Sequence, residues 1–297
     1  MKKILITGEH SYIGTSFKKW MMQFGEAYQI DSISVRGEEW RKHDFSSYDT
    51  VFHVAGIAHA DVSKVSEKDQ QLYYSVNRDL AIETAKKYKN DLAGKNGQFI
   101  YMSSIIVYGE GTNVNKNRVI TPETEPNPSN FYGDSKLQAE KGLLPLNENN
   151  FKMVIIRPPM IYGPGSKGNF PQLVKLANKL PIFPDIKNQR SMLFIENLCL
   201  QIKIIIDEQE SGIFFPQNNE YAQTSEIIKT ISKYQGKKVI IVPFFNSFIK
   251  LLGHTPGKIG RLTNKAFGNL TYAPIEKNGN FIEFEESIKK SIGFNNE

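Results

Sequence analysis

The sequence predicts an α/β protein: a doubly wound parallel sheet with a smaller, interleaved C-terminal lobe. Three observations carry this. Short apolar strands alternate with stretches of helical periodicity through the first half of the chain. The first strand runs straight into a glycine turn that opens a helix. A serine pair then ends an apolar strand, and a tyrosine and a lysine follow it four residues apart, Tyr132 and Lys136. Strands joined through helix-length crossovers return parallel to one another, which gives a sheet covered by helices on both faces.

Lys3 to Thr7 is an apolar strand, and Phe17, Trp20, Met21 and Phe24 place a helix over Gly14 to Phe24. Tyr28 to Val35 and Asp49 to Ala55 read as the second and third strands. Leu72 to Tyr88 is a helix with apolar positions at Val76, Leu80 and Ala85, and Gln98 to Met102 is the strand that ends in Ser103-Ser104. A loop rich in Pro, Asn and Thr (Thr112 to Asn130) precedes the Tyr132 helix. Phe151 to Ile156 is the next strand, followed by Arg157-Pro158-Pro159. From about Tyr162 the alternation loosens, with Pro and Gly clustered at 163–171 and 181–184. The expected organisation is a first domain over 1–165 and a second lobe over 166–297 that partly returns to the sheet.

At 297 residues, 40% hydrophobic and 23% charged, the chain has the composition of a globular protein. The net charge of +6 is spread among scattered lysines, so no nucleic-acid partner is expected. No stretch is long and apolar enough for membrane insertion. Val239 to Gly253 comes nearest, but Pro243, Asn246 and Lys250 interrupt it, and a buried strand followed by a helix is expected there. The N-terminus passes into a strand rather than a signal peptide, and the single cysteine, Cys199, lies in an apolar helical run with Leu198, Ile202 and Ile205. An inert core thiol and a cytoplasmic location follow as expectations.

Thr7-Gly8-Glu9-His10-Ser11-Tyr12-Ile13-Gly14 has the context of a dinucleotide turn. Glycines permit the tight backbone, and a helix N-terminus offers N–H groups and a positive dipole end to a pyrophosphate. Gly8, Ser11, Tyr12, Ile13 and Gly14 are therefore the expected phosphate cradle, although Ser11 stands where a middle glycine is usual. The end of the second strand should select the cofactor: a carboxylate binds a ribose 2′-hydroxyl, an arginine a 2′-phosphate. Two registers compete. Counting from the glycines reaches Asp31; following the apolar alternation through Ile33 and Val35 reaches Arg36, with Arg41 to assist and Glu38 and Glu39 opposing. Arg36 is preferred, which favours NADP(H) over NAD(H). Asp44, before Phe45, is expected at the adenine. Ala55 and Gly56 let the backbone approach the cofactor, and His53 reads as structural.

On a helix, Tyr132 and Lys136 share one face. An ammonium beside a phenol favours the phenolate and makes the tyrosine a usable acid or base. Together with Ser103-Ser104-Ile105-Ile106-Val107-Tyr108-Gly109 and the glycine turn, in that order, the chain resembles the extended short-chain dehydrogenase/reductase superfamily, in its NAD-dependent epimerase/dehydratase branch acting on nucleotide-sugars. The resemblance implies a Rossmann fold and catalytic Ser104, Tyr132 and Lys136. Tyr132 would exchange a proton with the oxygen at C4 of the sugar, Ser104 would hydrogen-bond that oxygen, and Lys136 would tune Tyr132 and hold the nicotinamide ribose. It further implies Asn77 supporting the cofactor site, Pro159 near the nicotinamide, and Asn169 and Arg190 near the substrate diphosphate. The last three stand in Arg157-Pro158-Pro159-Met160-Ile161-Tyr162-Gly163-Pro164-Gly165, Lys167-Gly168-Asn169-Phe170 and Asn188-Gln189-Arg190-Ser191. A homodimer is what the family suggests.

Dehydratases of the superfamily carry an Asp-Glu pair after the catalytic Ser/Thr, and here those positions are Ile105 and Ile106, which cannot move a proton. Two reactions remain. One is NAD(P)H-dependent reduction of a UDP-4-keto-6-deoxy-N-acetylhexosamine to UDP-N-acetylquinovosamine for surface polysaccharide, to which the resemblance and Arg36 incline. The other is UDP-glucose or UDP-N-acetylglucosamine 4-epimerisation with tightly bound NAD. A non-catalytic NADP-binding redox sensor is a distant third.

Overall fold

The computed structural model describes residues 1–58, 66–114, 116–274 and 279–294. In chain order the first elements are β1 (Lys2–Thr7), α1 (Tyr12–Met21), β2 (Tyr28–Ile33), β3 (Thr50–His53), α2 (Glu67–Tyr74), α3 (Leu80–Leu92), β4 (Gly97–Met102), β5 (Val119–Ile120) and α4 (Phe131–Leu143). There follow β6 (Phe151–Ile156), β7 (Met160–Tyr162), α5 (Phe170–Lys179), β8 (Ile182–Pro184), β9 (Met192–Phe194), α6 (Ile195–Asp207) and β10 (Gly212–Phe214). The last are α7 (Thr224–Tyr234), β11 (Ile240–Val242), α8 (Asn246–Leu252), α9 (Lys258–Phe267), β12 (Thr271–Tyr272) and α10 (Phe284–Ser291).

The chain forms two compact units, each assembled from separate stretches. The first comprises 1–109, 126–158 and 198–216; the second comprises 110–125, 159–197 and 217–297. The divide after Pro158 falls earlier than residue 165, and 110–125 and 198–216 change sides relative to a single cut.

The first unit holds a six-stranded sheet of order β10-β6-β4-β3-β1-β2, parallel throughout. Its central strands are apolar on both faces because helices cover both: Ile4, Leu5 and Ile6 in β1 and Phe99, Ile100 and Tyr101 in β4 are fully buried. β1 pairs with β2 on one side and β3 on the other, so the chain reverses direction across the sheet at β1. In open parallel sheets that switch point, beyond the carboxyl ends of the strands, is where a ligand binds.

The helix expected over Leu72 to Tyr88 is observed as α2 and α3 joined by a π-turn at Ser75–Asp79. Cys199 is buried in α6, as its apolar neighbours implied.

In the second unit, β7 pairs with β9, β8 with β11 and β5 with β12, each pair parallel. Its core gathers Tyr162, Phe170 and Phe194, and the Tyr162 hydroxyl accepts from Asn218 Nδ2 at 2.9 Å and meets Ser287 Oγ at 2.5 Å. The Val239–Gly253 stretch forms β11 and α8 as expected, but it is not buried. Ile240, Phe244, Phe245, Phe248 and Leu251 are exposed. Apolar composition foretold the elements and not the direction they face.

Candidate active site

The glycine turn leaves β1 at the switch point. Gly8 has φ +108°, where a side chain is strained, and a Cβ there would lie 2.8 Å from the Ala55 nitrogen. The N–H groups of Gly8 and Glu9 both donate to the Ile33 carbonyl, at 3.0 and 3.3 Å. The carboxyl ends of β1, β2 and β3 therefore meet around this turn. At Gly14 a Cβ would come within 2.9 Å of Ile6 Cγ2 and 3.0 Å of Val54 Cγ2, so the missing side chain lets α1 lie directly on the sheet. Ser11 is the N-cap of α1, and its Oγ accepts the Gly14 N–H at 3.0 Å. That explains a serine in a glycine's place: the hydroxyl turns into the helix and serves a donor no ligand would use. The first-turn N–H groups of Tyr12 and Ile13, which have no intrahelical acceptor, are left for an anion. These residues fit a dinucleotide's phosphates.

Beyond β2 the two competing registers separate. Asp31 lies inside the strand opposite Leu5, and its carboxylate accepts from the Tyr48 hydroxyl at 3.0 Å and Gln29 Nε2 at 3.0 Å. Arg36 is exposed, three residues past the Ile33 carbonyl that receives the glycine turn. Arg41 is committed elsewhere, to Glu38 and Glu83. Asp44 is exposed and folds onto the Ser46 N–H (2.8 Å) and hydroxyl (2.9 Å), which hold its carboxyl below the usual range. Phe45 needs correction as a cofactor contact. Its ring is fully buried in the core and its N–H donates to Asp91 at 3.0 Å, so neither group is available.

The catalytic candidates come together on the other side of the turn. Ala55 touches Gly8, and at Gly56 a Cβ would lie 3.1 Å from Asn77 Oδ1 and 3.2 Å from Lys136 Nζ. Asn77 is completely buried. Its Oδ1 accepts the Ile57 N–H at 2.8 Å, and its Nδ2 donates to the Ile57 carbonyl and to Ser135 Oγ, both at 3.1 Å. The π-turn is what aims it inward, and the side chain is used up in bracing the Ala55–Ile57 loop against α4. Its support of the cofactor site is therefore indirect. α4 starts at its Asn130 N-cap, whose Oδ1 accepts the Gly133 N–H at 3.0 Å, and displays Tyr132 and Lys136 one turn apart. Lys136 Nζ donates to the Met102 carbonyl at 2.8 Å and lies 4.7 Å from the Tyr101 ring centroid. The Ser104 hydroxyl accepts the Ile106 N–H at 3.3 Å and lies near enough to the Tyr132 phenol to lower its pKa. Lys136, Asn77, Gly56, Ala55 and the Gly8 turn thus lie against one another, with Tyr132 one turn from Lys136 on α4.

The electrostatics differ from the expected acidified phenol. Burial pushes Tyr132 up to about 12, against the opposing effect of Ser104, so the chain holds it protonated at neutral pH. Burial pushes Lys136 down to about 7, partly resisted by Glu140. The ammonium serves the Met102 carbonyl rather than stabilising a phenolate, because a pocket this dry penalises either charge. His53 is structural, as read: it bonds Thr7 Oγ1 at 2.8 Å, stacks on Phe99, and is pushed down to about 3 by burial and by Lys136.

The Lys136 shift sets a pH dependence. In the unfolded chain the lysine is charged up to its ordinary value of 10.5, and in the fold it loses its proton near 7. Below pH 7 both states are charged and the full burial cost is present; between 7 and 10.5 the unfolded state binds more protons, so the cost fades as pH rises. Lys136→Met should therefore stabilise the fold at pH 6.5 by on the order of 3 kcal/mol, and the gain should shrink towards pH 9.5. Urea unfolding of both proteins across that range is the check; a gain that does not depend on pH contradicts it.

Sequence reasoning missed the network behind the site. Glu140 and Arg157 form a buried ion pair, with Arg157 Nη2 to Glu140 Oε2 at 2.5 Å and side chains 1% and 6% exposed. Arg157 also donates to the Tyr108 hydroxyl at 2.5 Å, and Ser103 Oγ bonds Glu140. One signal existed: Glu140 follows Lys136 by four residues on the same helix.

Three candidates lie in the second unit. Pro159 is buried just before β7, and Asn169 is exposed at the N-cap of α5. Arg190 is half-buried, bridges Ala222 and Leu270 through its backbone, and donates from Nη1 to the Lys265 carbonyl at 2.7 Å. It is not the mobile surface arginine that a loop position alone would imply.

Residues 4–216 match the NAD dependent epimerase/dehydratase family, and the chain belongs to that family. It is 31% identical to a UDP-glucose 4-epimerase of Vibrio cholerae, over 88% of this chain and 85% of that protein. It is also 31% identical to the N-acetyl-alpha-D-glucosaminyl-diphospho-ditrans,octacis-undecaprenol 4-epimerase of Escherichia coli O157:H7, over 98% of this chain and 89% of the relative. In fold it resembles the UDP-glucuronic acid 4-epimerase of Bacillus cereus solved with NAD, at a TM-score of 0.72 and 19% identity over 98% of both chains.

Proposed function

We propose that the chain transfers hydride at C4 of a UDP-hexosamine, and that it reduces a UDP-4-keto-6-deoxy-N-acetylhexosamine with NADPH, forming UDP-N-acetylquinovosamine for a surface polysaccharide. Arg36 carries the choice of reductant. It is an exposed cation just past the end of β2, while the carboxylate that would bind a 2′-hydroxyl, Asp31, is held inside the strand by Tyr48 and Gln29. The protonation of the site agrees: a phenol held protonated is ready to give a proton to a carbonyl oxygen, the direction of reduction.

In this reading the nicotinamide supplies hydride to C4 when bound. The Tyr132 hydroxyl gives its proton to the C4 oxygen, and Ser104 donates a hydrogen bond to the same oxygen, so charge never accumulates there unaided. Lys136 shares the dry pocket and holds the ribose. Tyr12 and Ile13 hold the pyrophosphate through their first-turn N–H groups, on a turn shaped by Gly8, Ser11 and Gly14; Asp44 faces the adenine; Ala55 and Gly56 admit the cofactor; Pro159 stands at the nicotinamide. Asn169 and Arg190 take the substrate diphosphate, for which a planar guanidinium is suited. The proposed setting is the cytoplasm, as a homodimer.

Arg36→Ala should raise the KM for NADPH roughly 10- to 100-fold, the value of one charge-assisted hydrogen bond, and leave that for NADH within a few-fold. Equal losses with both reductants would remove Arg36 from the 2′-phosphate.

A second reading, UDP-sugar 4-epimerisation with retained NAD, is favoured by the two relatives at 31% identity, both named as 4-epimerases. Mass analysis of the nucleotide that co-purifies separates the two: firmly held NAD supports the epimerase, and a site that exchanges freely with NADPH supports the reductase.

A further inference from the structure

Two successive helices of the second unit, α8 and α9, expose an apolar stripe. Phe244, Phe248 and Leu251 follow one another at helical spacing into and along α8, and all three point outward, at 85%, 58% and 65% exposure. On α9, Ile259 and Leu262 stand three apart and are likewise 59% and 54% exposed. α9 turns Gly260, Thr263 and Phe267 inward, so the fold is already satisfied without this stripe. The two helices are tied at their connection: Asn264 Nδ2 of α9 donates to the Gly253 carbonyl at the end of α8 at 2.9 Å. Five large apolar side chains exposed on two successive helices are more than the scattered exposure normal for a globular surface.

The charges around it say what covers it. No acidic residue occurs between Glu226 and Glu276, whereas that stretch holds Lys229, Lys233, Lys237, Lys238, Lys250, Lys258, Arg261 and Lys265. Lys250, Lys258, Arg261 and Lys265 lie on the two helices themselves and are exposed. Phenylalanine, leucine and isoleucine among lysines and arginine, in a stretch with no carboxylate of its own, is the composition of a segment that lies in the interface of an anionic bilayer. Among the described residues no helix is long and apolar enough to cross one, so the contact is with the surface layer.

We propose that the α8–α9 segment docks the enzyme onto an anionic phospholipid surface, with Phe244, Phe248, Leu251, Ile259 and Leu262 among the upper acyl chains and the four cations at the headgroups. The docking is independent of which C4 reaction the other unit performs.

The test is co-sedimentation of the full chain with phosphatidylethanolamine vesicles containing 30% phosphatidylglycerol, and with pure phosphatidylcholine vesicles, at about 0.05 and 0.5 M salt. Binding should be at least tenfold stronger to the anionic vesicles and fall at least tenfold at high salt. The Phe244→Ser/Phe248→Ser/Leu251→Ser variant should lose binding while keeping its thermal melt and its turnover of a soluble UDP-sugar. Lys258→Glu/Lys265→Glu should weaken binding independently, with the apolar face intact. Failure of the wild type to sediment with anionic vesicles overturns the proposal, as does undiminished binding by both variants. A wild-type dimer in light scattering that the triple serine variant converts to monomer also overturns it, and gives the face to a second copy of the chain.

Discussion

Tyr132→Phe should lower turnover by roughly 10²- to 10⁴-fold, the range for loss of a positioned acid, and leave dinucleotide affinity within a few-fold. The reason lies in what the hydroxyl does and does not hold. It stands near Ser104, just past the carboxyl end of β4, and burial lifts its pKa to about 12, which keeps it protonated until something draws the proton away. The ring's packing against Tyr73, at a centroid distance of 6.1 Å, is unchanged in phenylalanine. The cradle at Gly8, Ser11 and Gly14 is built from different elements and has no contact to lose. Stopped turnover with intact cofactor binding, measured by single-turnover kinetics and by nucleotide titration, is the expected pair of outcomes. A variant that keeps more than a tenth of the activity would assign the proton to another group.

The largest stability effect should come from Glu140→Ala, a loss of about 3–5 kcal/mol. Glu140 is almost wholly buried, accepts from Arg157 through Nε and Nη2, and is bonded by Ser103. Removing it leaves the Arg157 guanidinium charged and buried without its carboxylate partner, with Tyr108 among the groups that remain to it. The ion pair itself need not be a net stabiliser, since the cost of drying both charges offsets much of their attraction. Glu140→Leu/Arg157→Met should accordingly recover most of the loss. Denaturant midpoints for the single and double variants check this. A double variant as unstable as the single one would show that Glu140 acts through Ser103 and not through Arg157.

Most of the first unit was readable because its signals are local. The turn after β1, the serine pair after β4 and the Tyr132–Lys136 spacing each depend on neighbours within a few residues, and the structure brings all three together. What was not readable depends on partners distant in sequence or on a change of helical register. Asn77 is aimed inward by a π-turn that no count of apolar positions reveals. Glu140 finds Arg157 across 17 residues, from a helix to a strand end. Phe45, placed beside the cofactor by its position after Asp44, is drawn into the core with Trp40 and Tyr88. The acidified phenol failed for a related reason: spacing puts an ammonium near a tyrosine but says nothing of the Met102 carbonyl that engages it. In Val239–Gly253 the elements followed from composition, while their outward face did not, because hydrophobicity measures a wish to leave water and not what is present to receive it.

In the proposed function, this chain moves hydride to C4 of a nucleotide-sugar under the acid Tyr132. The most direct test is incubation with NADPH deuterated at the transferable position of C4 of the nicotinamide and a UDP-4-keto-6-deoxy-N-acetylhexosamine, followed by mass spectrometry of the sugar. Deuterium at C4 of the product, absent with Tyr132→Phe, is the expected result. A product formed without the label, or labelled equally by the variant, would contradict it.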